Sequence, residues 1–420
     1  MNRRQFLAIS LSGLSGVATN LWTREAHAAN YATNSQRMNA MNHFKTDLDG
    51  KAGGNIVLFL CGDVMTGRGI DQILAHPSKP TLHEPYMKSA LGYVELAERV
   101  NGPIPKSVDP AYIWGDAIAE FERVKPDFSI INLETAVTQS DDYLPGKGIH
   151  YRMHPYNLPC ISTADIDCCV LANNHVMDWG IAGLNETLLA LREQAIAYVG
   201  AGKNHKEAQT PVTFKVANKG RVLVFAFGSA TSGVPKEWAA TVHRPGVNIF
   251  SESAAASIAD IINQVKKIKR QDDVVIISLH WGGNWGYEIR TEESEFAHRL
   301  IEEAQVDVVY GHSSHHPKGM EVYKGKLILY GCGDFINDYE GIRGNAQYRS
   351  DLTLMYFVTI NPENGQLVGV EMVPMQIRKF QLHRATPKDA QWLGKVMDRE
   401  SQRFGSRVII NEDHRLSLLS

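Results

Sequence analysis

Short apolar runs alternate with stretches of helical period along most of the chain from residue 55 onward. The runs lie at 55–61, 127–132, 166–171, 221–227, 273–279, 307–310 and 326–330. Most lack strict polar alternation, which is the pattern of strands buried on both faces. Leu184, Leu188 and Leu191 fall at i, i+4 and i+7 after Gly180, and predict a helix. Ile258, Ile261, Ile262 and Val265 repeat in the same way, as do Phe296, Leu300 and Ile301. Two further β-type runs, 352–360 and 367–374, flank Pro362-Glu363-Asn364-Gly365, a hairpin signal. A last helix is predicted at roughly 387–403. Strands alternating with helices predict an α/β fold. The domain is expected at 54–380, with a C-terminal helical appendage at 381–420.

The ends of the chain and its charge refine this. Arg3-Arg4 precede a Leu-, Ala- and Ser-rich stretch over residues 7–19, and Ala26-His27-Ala28 is an A-x-A cleavage pattern. Residues 1–29 therefore read as a twin-arginine-type signal peptide, a route that carries folded proteins. Polar residues 30–53 read as a linker. The expected location is exported, periplasmic or at the cell surface. No apolar run is long enough for a transmembrane helix, so no stable membrane anchor is expected. A net charge of −3 without a Lys/Arg run gives no basis for binding nucleic acid. Five cysteines, an odd number without a CxxC pattern, are not a disulfide framework, although a Cys160–Cys168 bridge stays open.

The chemistry gathers at the ends of the apolar runs. The first passes into Gly62-Asp63, the second into Asn132-Leu133-Glu134, and the third into Asn173-Asn174-His175 with Asp178 close behind. Later runs end at His280 and at Gly311-His312, with His315 and His316 following. Carboxyl ends of strands are where α/β sheets bind ligands. Each cluster alone has a plainer reading: a capping Asp, a turn Asn, a surface Glu or a hydrogen-bonded core His. Together they form an inventory of carboxylate, amide and imidazole ligands suited to hard or borderline divalent cations. Such ions activate a water and clamp a phosphoryl or acyl oxygen, and a spare His beside them protonates a leaving group.

In this order the motifs resemble the CapA family, associated with poly-γ-glutamate capsule synthesis and related to the calcineurin-like metallophosphoesterases. The resemblance spans nearly all of residues 55–380. It rests on GDVMTGR at 62–68, INLETAVT at 131–138, LANNHVMDWG at 171–180 and Gly200-Ala201-Gly202. It continues through HWGGNWGY at 280–287, GHSSHHP at 311–317 and KLILYGCGDF at 326–335. It implies a four-layer α/β/β/α sandwich of metallophosphoesterase type with metal ligands at strand ends. Asp63 would bind one metal, Glu134 would bridge, Asn174 would bind the second, and His280, His312 and His315 would complete the shells. His175 would be the proton donor, oriented by Asp178, and Arg152 in the segment 147–152 would clamp an anionic oxygen. Arg152 also reads as an ordinary surface residue. Phosphoesterases usually carry a His two residues after the first Asp; Met65 stands there, so one shell lacks an imidazole.

The expected cofactor is one or two divalent ions, Mn, Fe or Zn. The expected partner is an anionic polymer or phosphoester substrate, together with capsule-synthesis machinery. A metal-dependent hydrolase and a non-catalytic accessory protein that binds such a polymer both remain open at this point.

Overall fold

The computed structural model describes residues 54–253 and 255–419; the signal-type and linker segments expected at 1–29 and 30–53 lie outside them. The fold is mixed α/β, carried by a larger sheet of eleven strands and a smaller one of seven. In the larger sheet, Ile56–Leu60 runs parallel to Phe128–Leu133 and antiparallel to Leu352–Asn361. Phe128–Leu133 continues in parallel to Cys168–Val170 and then to Ala197–Val199. The predicted hairpin is present as Leu352–Asn361 paired with Gln366–Arg378. The smaller sheet is built on Gly220–Ser229, Asp273–His280, Val308–His312 and Lys326–Leu329, all parallel.

The missing polar alternation has a direct cause. Along Gly220–Ser229 successive side chains point to opposite faces. Val222, Val224 and Ala226 enter a core shared with Leu58, Leu60, Ile130 and Leu354 of the larger sheet. Leu223, Phe225 and Phe227 enter a second core with Ile258, Ile262, Phe296 and Leu300 of the helices Ala255–Ile268 and Thr291–Ala304. Both faces are dry, so both must be apolar. Each Val, Leu, Ile or Phe fully buried in this way contributes about 1.5–3 kcal/mol. The helix Gly180–Glu193 buries Leu184, Leu188 and Leu191 in the shared core, as its spacing predicts.

The segment expected as a helical appendage is only partly helical. Its helix, Pro387–Ser401, opens on Thr386, whose side chain accepts from the Asp389 N–H, with Pro387 in the first turn. Around it, Gln381–Arg384 and Leu416–Leu419 hydrogen-bond to Gln366–Arg378, and Arg407–Ile410 pairs with Leu416–Leu419. Leu382, Leu393, Met397 and Leu416 belong to the main core, so the boundary at 380 is corrected: the larger sheet runs through it. Four-residue strands carry too little alternation to announce themselves. All five cysteines are buried and free, so no Cys160–Cys168 bridge forms.

Two very short strands, Asp63–Val64 and Asp334–Ile336, lie side by side in parallel and place the polar residues. The Asp63 N–H donates to the Gly333 carbonyl at 2.8 Å and the Met65 N–H to that of Ile336 at 2.8 Å. Backbones meet so closely that a Cβ on Gly62 would lie 2.0 Å from the Gly333 oxygen. Gly62→Ala should therefore destabilise the fold by about 1–3 kcal/mol through overpacking. Urea denaturation checks this, and an unchanged midpoint would contradict it.

Candidate metal centre

Strand register sets the site. Asp63 pairs with Asn132 on one side and with Asp334 on the other, while His280 pairs with His312 in the smaller sheet. Glu134 and Asn174 lie just past the strands Phe128–Leu133 and Cys168–Val170. The two sheets thus deliver acids and amides from one side and imidazoles from the other.

One ligand atom from each of Asp63, Glu134 and His280 lies within 4.8 Å of the others, and all three residues are buried. Asn132 organises the acids: its Nδ2 donates to Asp63 Oδ1 at 2.7 Å and faces Glu134 Oε2 at 3.4 Å. Its own Oδ1 accepts from Asn173 Nδ2 at 3.0 Å. Asn173 Oδ1 in turn accepts the N–H groups of His175 and Val176, fixing the turn that presents Asn174 and His175. Asn174 Oδ1 sits 3.2 Å from His280 Nε2, which is 3.7 Å from Glu134 Oε1. His312 is fully buried, with Nδ1 3.2 Å from Asp63 Oδ1. That contact is off the hydrogen-bond direction, and neither ring nitrogen has a hydrogen-bond partner. A buried imidazole with both nitrogens orphaned is costly unless it ligates something.

The electrostatics agree with the geometry. Burial tends to raise Asp63, but His312 and His280 facing it hold its carboxyl well below the usual range. Burial, then the Asp63 charge, pushes Glu134 well above it. Burial lowers His280 to about 3, so its ring is a neutral donor. Two carboxylates this close in a dry site cannot both ionise unaided; a divalent cation lets them. Oxygen and nitrogen donors, two buried acids and an orphaned imidazole fit such an ion.

His175 stands beside this group, its Nε2 3.9 Å from Glu134 Oε1. Its Nδ1 faces Asp178 Oδ2 at 2.7 Å, and Asp178 also accepts from the Tyr151 N–H at 2.7 Å. Lys147 was not singled out by sequence reasoning. Its Nζ donates to the Asn174 carbonyl and Asp178 Oδ1 and lies 3.0 Å from His175 Nδ1. Its position in the 147–152 segment was the available signal, but attention there falls on the arginine. Burial first, against the pull of Asp178, holds His175 at about 4.

Arg152 and His315 make hydrogen bonds of their own. Arg152 is committed to structure: it donates to the Ser140 carbonyl at 2.7 Å, Asp141 Oδ1 at 3.1 Å and the Lys79 carbonyl at 3.1 Å, over the Trp179 ring. These bonds engage both terminal nitrogens, and Asp141 meets the charge of the guanidinium. His315 pairs through Nδ1 with Asp334 Oδ1 at 2.8 Å and through Nε2 with Asn284 at 3.0 Å, and lies outside the convergent group of three. Burial opposes a charge on His315, but Asp334 outweighs it and raises the ring. Met65 is fully buried, its sulfur 3.8 Å from the Tyr339 hydroxyl.

Asp178→Ala should cost about 1–3 kcal/mol, because the Tyr151 N–H and the Lys147 ammonium lose their acceptor. Chemical denaturation measures it; a wild-type midpoint would show that the triad of Lys147, His175 and Asp178 adds nothing to stability.

Comparison with known proteins places the chain. The profile of the family described as bacterial capsule synthesis protein PGA_cap matches residues 57–339. A probable polyglutamine synthesis accessory protein of Mycobacterium tuberculosis is 45% identical over 365 residues, covering 87% of this chain and 96% of that protein. The PGA biosynthesis protein CapA of Bacillus subtilis is 26% identical, over 64% of this chain and 66% of its own. The capsule biosynthesis protein CapA of Bacillus anthracis is 26% identical, over 56% and 53%. With a matched profile that takes in every residue from Asp63 to His315, the chain belongs to the bacterial capsule synthesis protein PGA_cap family, the family of CapA.

Proposed function

We propose that this chain is an exported protein of capsule or poly-γ-glutamate biosynthesis whose strand-end cluster is a divalent-metal hydrolase site. The observation that carries the reading is the convergence of Asp63, Glu134 and His280 within 4.8 Å. Asp63, Glu134, Asn174, His280 and His312 would hold one or two ions (Mn, Fe or Zn), with His315 at the edge through Asp334. A bound ion supplies a Lewis acid and an activated water for attack on a phosphoryl or acyl centre. The relatives' names support capsule or polyglutamate synthesis as the setting, with an anionic polymer or phosphoester as substrate and the synthesis machinery as partner. The paired arginines at Arg3-Arg4 support twin-arginine export to the periplasm or cell surface. No helix among the described residues is long and apolar enough to cross a membrane. The helix-backed smaller sheet, sharing its other face with the larger one, supports a four-layer α/β/β/α sandwich of metallophosphoesterase type.

In this reading His175 moves the proton. Its ring is neutral at pH 7, because burial holds it at about 4, so it accepts a proton at Nε2 before returning one to the leaving group. Asp178 and Lys147 fix its orientation. His175→Ala should lower kcat for hydrolysis by about 10²–10⁴-fold. Wild-type activity should fall as the pH drops towards about 4, where the ring takes up a proton. Steady-state assays on phosphomonoesters, phosphodiesters and γ-glutamyl oligomers test both; no hydrolysis of any of these by metal-loaded protein would sink the catalytic reading.

The mycobacterial relative's description as an accessory protein favours a second reading, in which the chain binds the polymer without cleaving it. His175→Ala then leaves cellular polymer production intact, whereas catalysis predicts its loss.

A further inference from the structure

Beside Met65, which stands where an imidazole is expected, the structure places a phenol. The Tyr339 hydroxyl lies 3.8 Å from the Met65 sulfur and 3.3 Å from the Tyr151 hydroxyl. The two tyrosines meet two imidazoles of the site. The Tyr151 ring packs edge-to-face on the His175 ring at 4.6 Å, and the Tyr339 ring does the same on the His315 ring at 5.3 Å. Asn337 ties Tyr339 to the strand of Asp334: its Oδ1 accepts from the Tyr339 N–H at 3.0 Å, and its Nδ2 donates to Asp334 Oδ2 at 2.8 Å.

One buried cation stands behind the pair. The Arg68 guanidinium lies 3.9 Å from the centre of the Tyr93 ring, 4.3 Å from that of Tyr151 and 5.9 Å from that of Tyr339. Glu84 Oε1 accepts from it at 3.1 Å, and Asp338, the residue before Tyr339, takes it through both carboxylate oxygens. Such a fork fixes orientation as well as charge. The phenol pair is thus held by a buried, hydrogen-bonded support rather than by a loose loop.

A count of protons singles out Tyr339. The two phenol O–H groups share one contact between their oxygens, and the other neighbour of the pair among the described residues is the Met65 thioether, a weak acceptor. One O–H is therefore left without a strong acceptor, which is costly in a buried place. Tyr151 is fully buried and donates to Tyr339, so the spare proton is that of Tyr339, a residue partly open to solvent. Burial first, then the charge of Asp334 and, against the pull of Arg68, that of Glu134, push this phenol well above its ordinary value. It keeps its proton, and the reach of both carboxylates puts the hydroxyl beside the cluster.

We propose that Tyr339 touches the ligand at this cluster, its hydroxyl donating a hydrogen bond to an anionic oxygen of the group held there. It rests on the reading of the cluster as a metal-ion site and adds a ligand contact to it.

The test is calorimetric titration of Mn²⁺-loaded protein with inorganic phosphate and, separately, with acetate, which stand for phosphoryl and carboxyl oxygens. Tyr339→Phe should weaken the anion that the wild type binds on the order of tenfold, the loss of one hydrogen bond to a charged group. Its urea midpoint should still rise with Mn²⁺ as the wild type's does. Tyr112→Phe removes a hydroxyl that donates to the Lys379 carbonyl, and should bind as wild type. A loss with phosphate assigns the contact to a phosphoryl oxygen and a loss with acetate to a carboxyl oxygen; either upholds it. Unchanged affinity in Tyr339→Phe overturns it, as does an equal loss in Tyr112→Phe. A Mn²⁺ response lost together with anion binding overturns it too, since the hydroxyl would then serve the metal site alone. Wild-type protein that is stabilised by Mn²⁺ but binds neither anion overturns the contact and leaves the metal site standing, whereas no response to Mn²⁺ overturns both.

Discussion

Two carboxylates in one dry place is the constraint on which the rest of this structure depends. Asp63 and Glu134 are both buried, and their side chains share the amide of Asn132. Burial penalises each charge and proximity penalises the second again, so the pair is unfavourable without positive charge nearby. The smaller sheet supplies imidazoles against it, His280 and His312, and of these His312 has no hydrogen bond to either nitrogen. A buried imidazole without hydrogen bonds is costly unless it ligates something. The donor set is that of a hard or borderline divalent ion.

The fold brings these groups together by register rather than by loops alone. Asp63 opposite Asn132 and Asp334, and His280 opposite His312, are consequences of strand pairing in two separate sheets. Sites on strands are held more tightly than sites on loops. The close approach of Gly62 to the Gly333 carbonyl is part of the same device, since a side chain there would push Asp63 and Asp334 apart. Lys147 and Asp178 also grip the His175 ring, so an imidazole 3.9 Å from Glu134 is fixed in orientation.

Much of this was legible in the chain, for physical reasons that also explain the rest. Long buried strands such as Asp273–His280 announce themselves by continuous apolar runs, and the hairpin around Asn364-Gly365 by its turn residues. The strand-end polar clusters were legible because such residues are expensive to bury without purpose. The strands Asp63–Val64 and Asp334–Ile336 were not, because two or three residues carry no period. Nor was the engagement of Arg152, which depends on the Ser140 carbonyl and on that of Lys79, far from it along the chain. The partners of His315 were not legible either: its Nδ1 faces Asp334 and its Nε2 faces Asn284, contacts that only the fold creates. Lys147 was hidden by its ordinariness, a lysine in a loop whose importance is tertiary.

The most direct test of this account is the stability of the folded chain as a function of divalent metal. An ion that binds only the native cluster raises unfolding free energy by RT ln(1 + [L]/Kd), about 2.7 kcal/mol at a hundred times Kd. Urea denaturation of metal-stripped protein titrated with Mn²⁺ or Zn²⁺ should show that rise, growing by about 1.4 kcal/mol per tenfold metal, and Asp63→Asn should abolish it. A midpoint that does not move with metal, or one that moves equally in Asp63→Asn, would contradict a cation site at Asp63, Glu134 and His280.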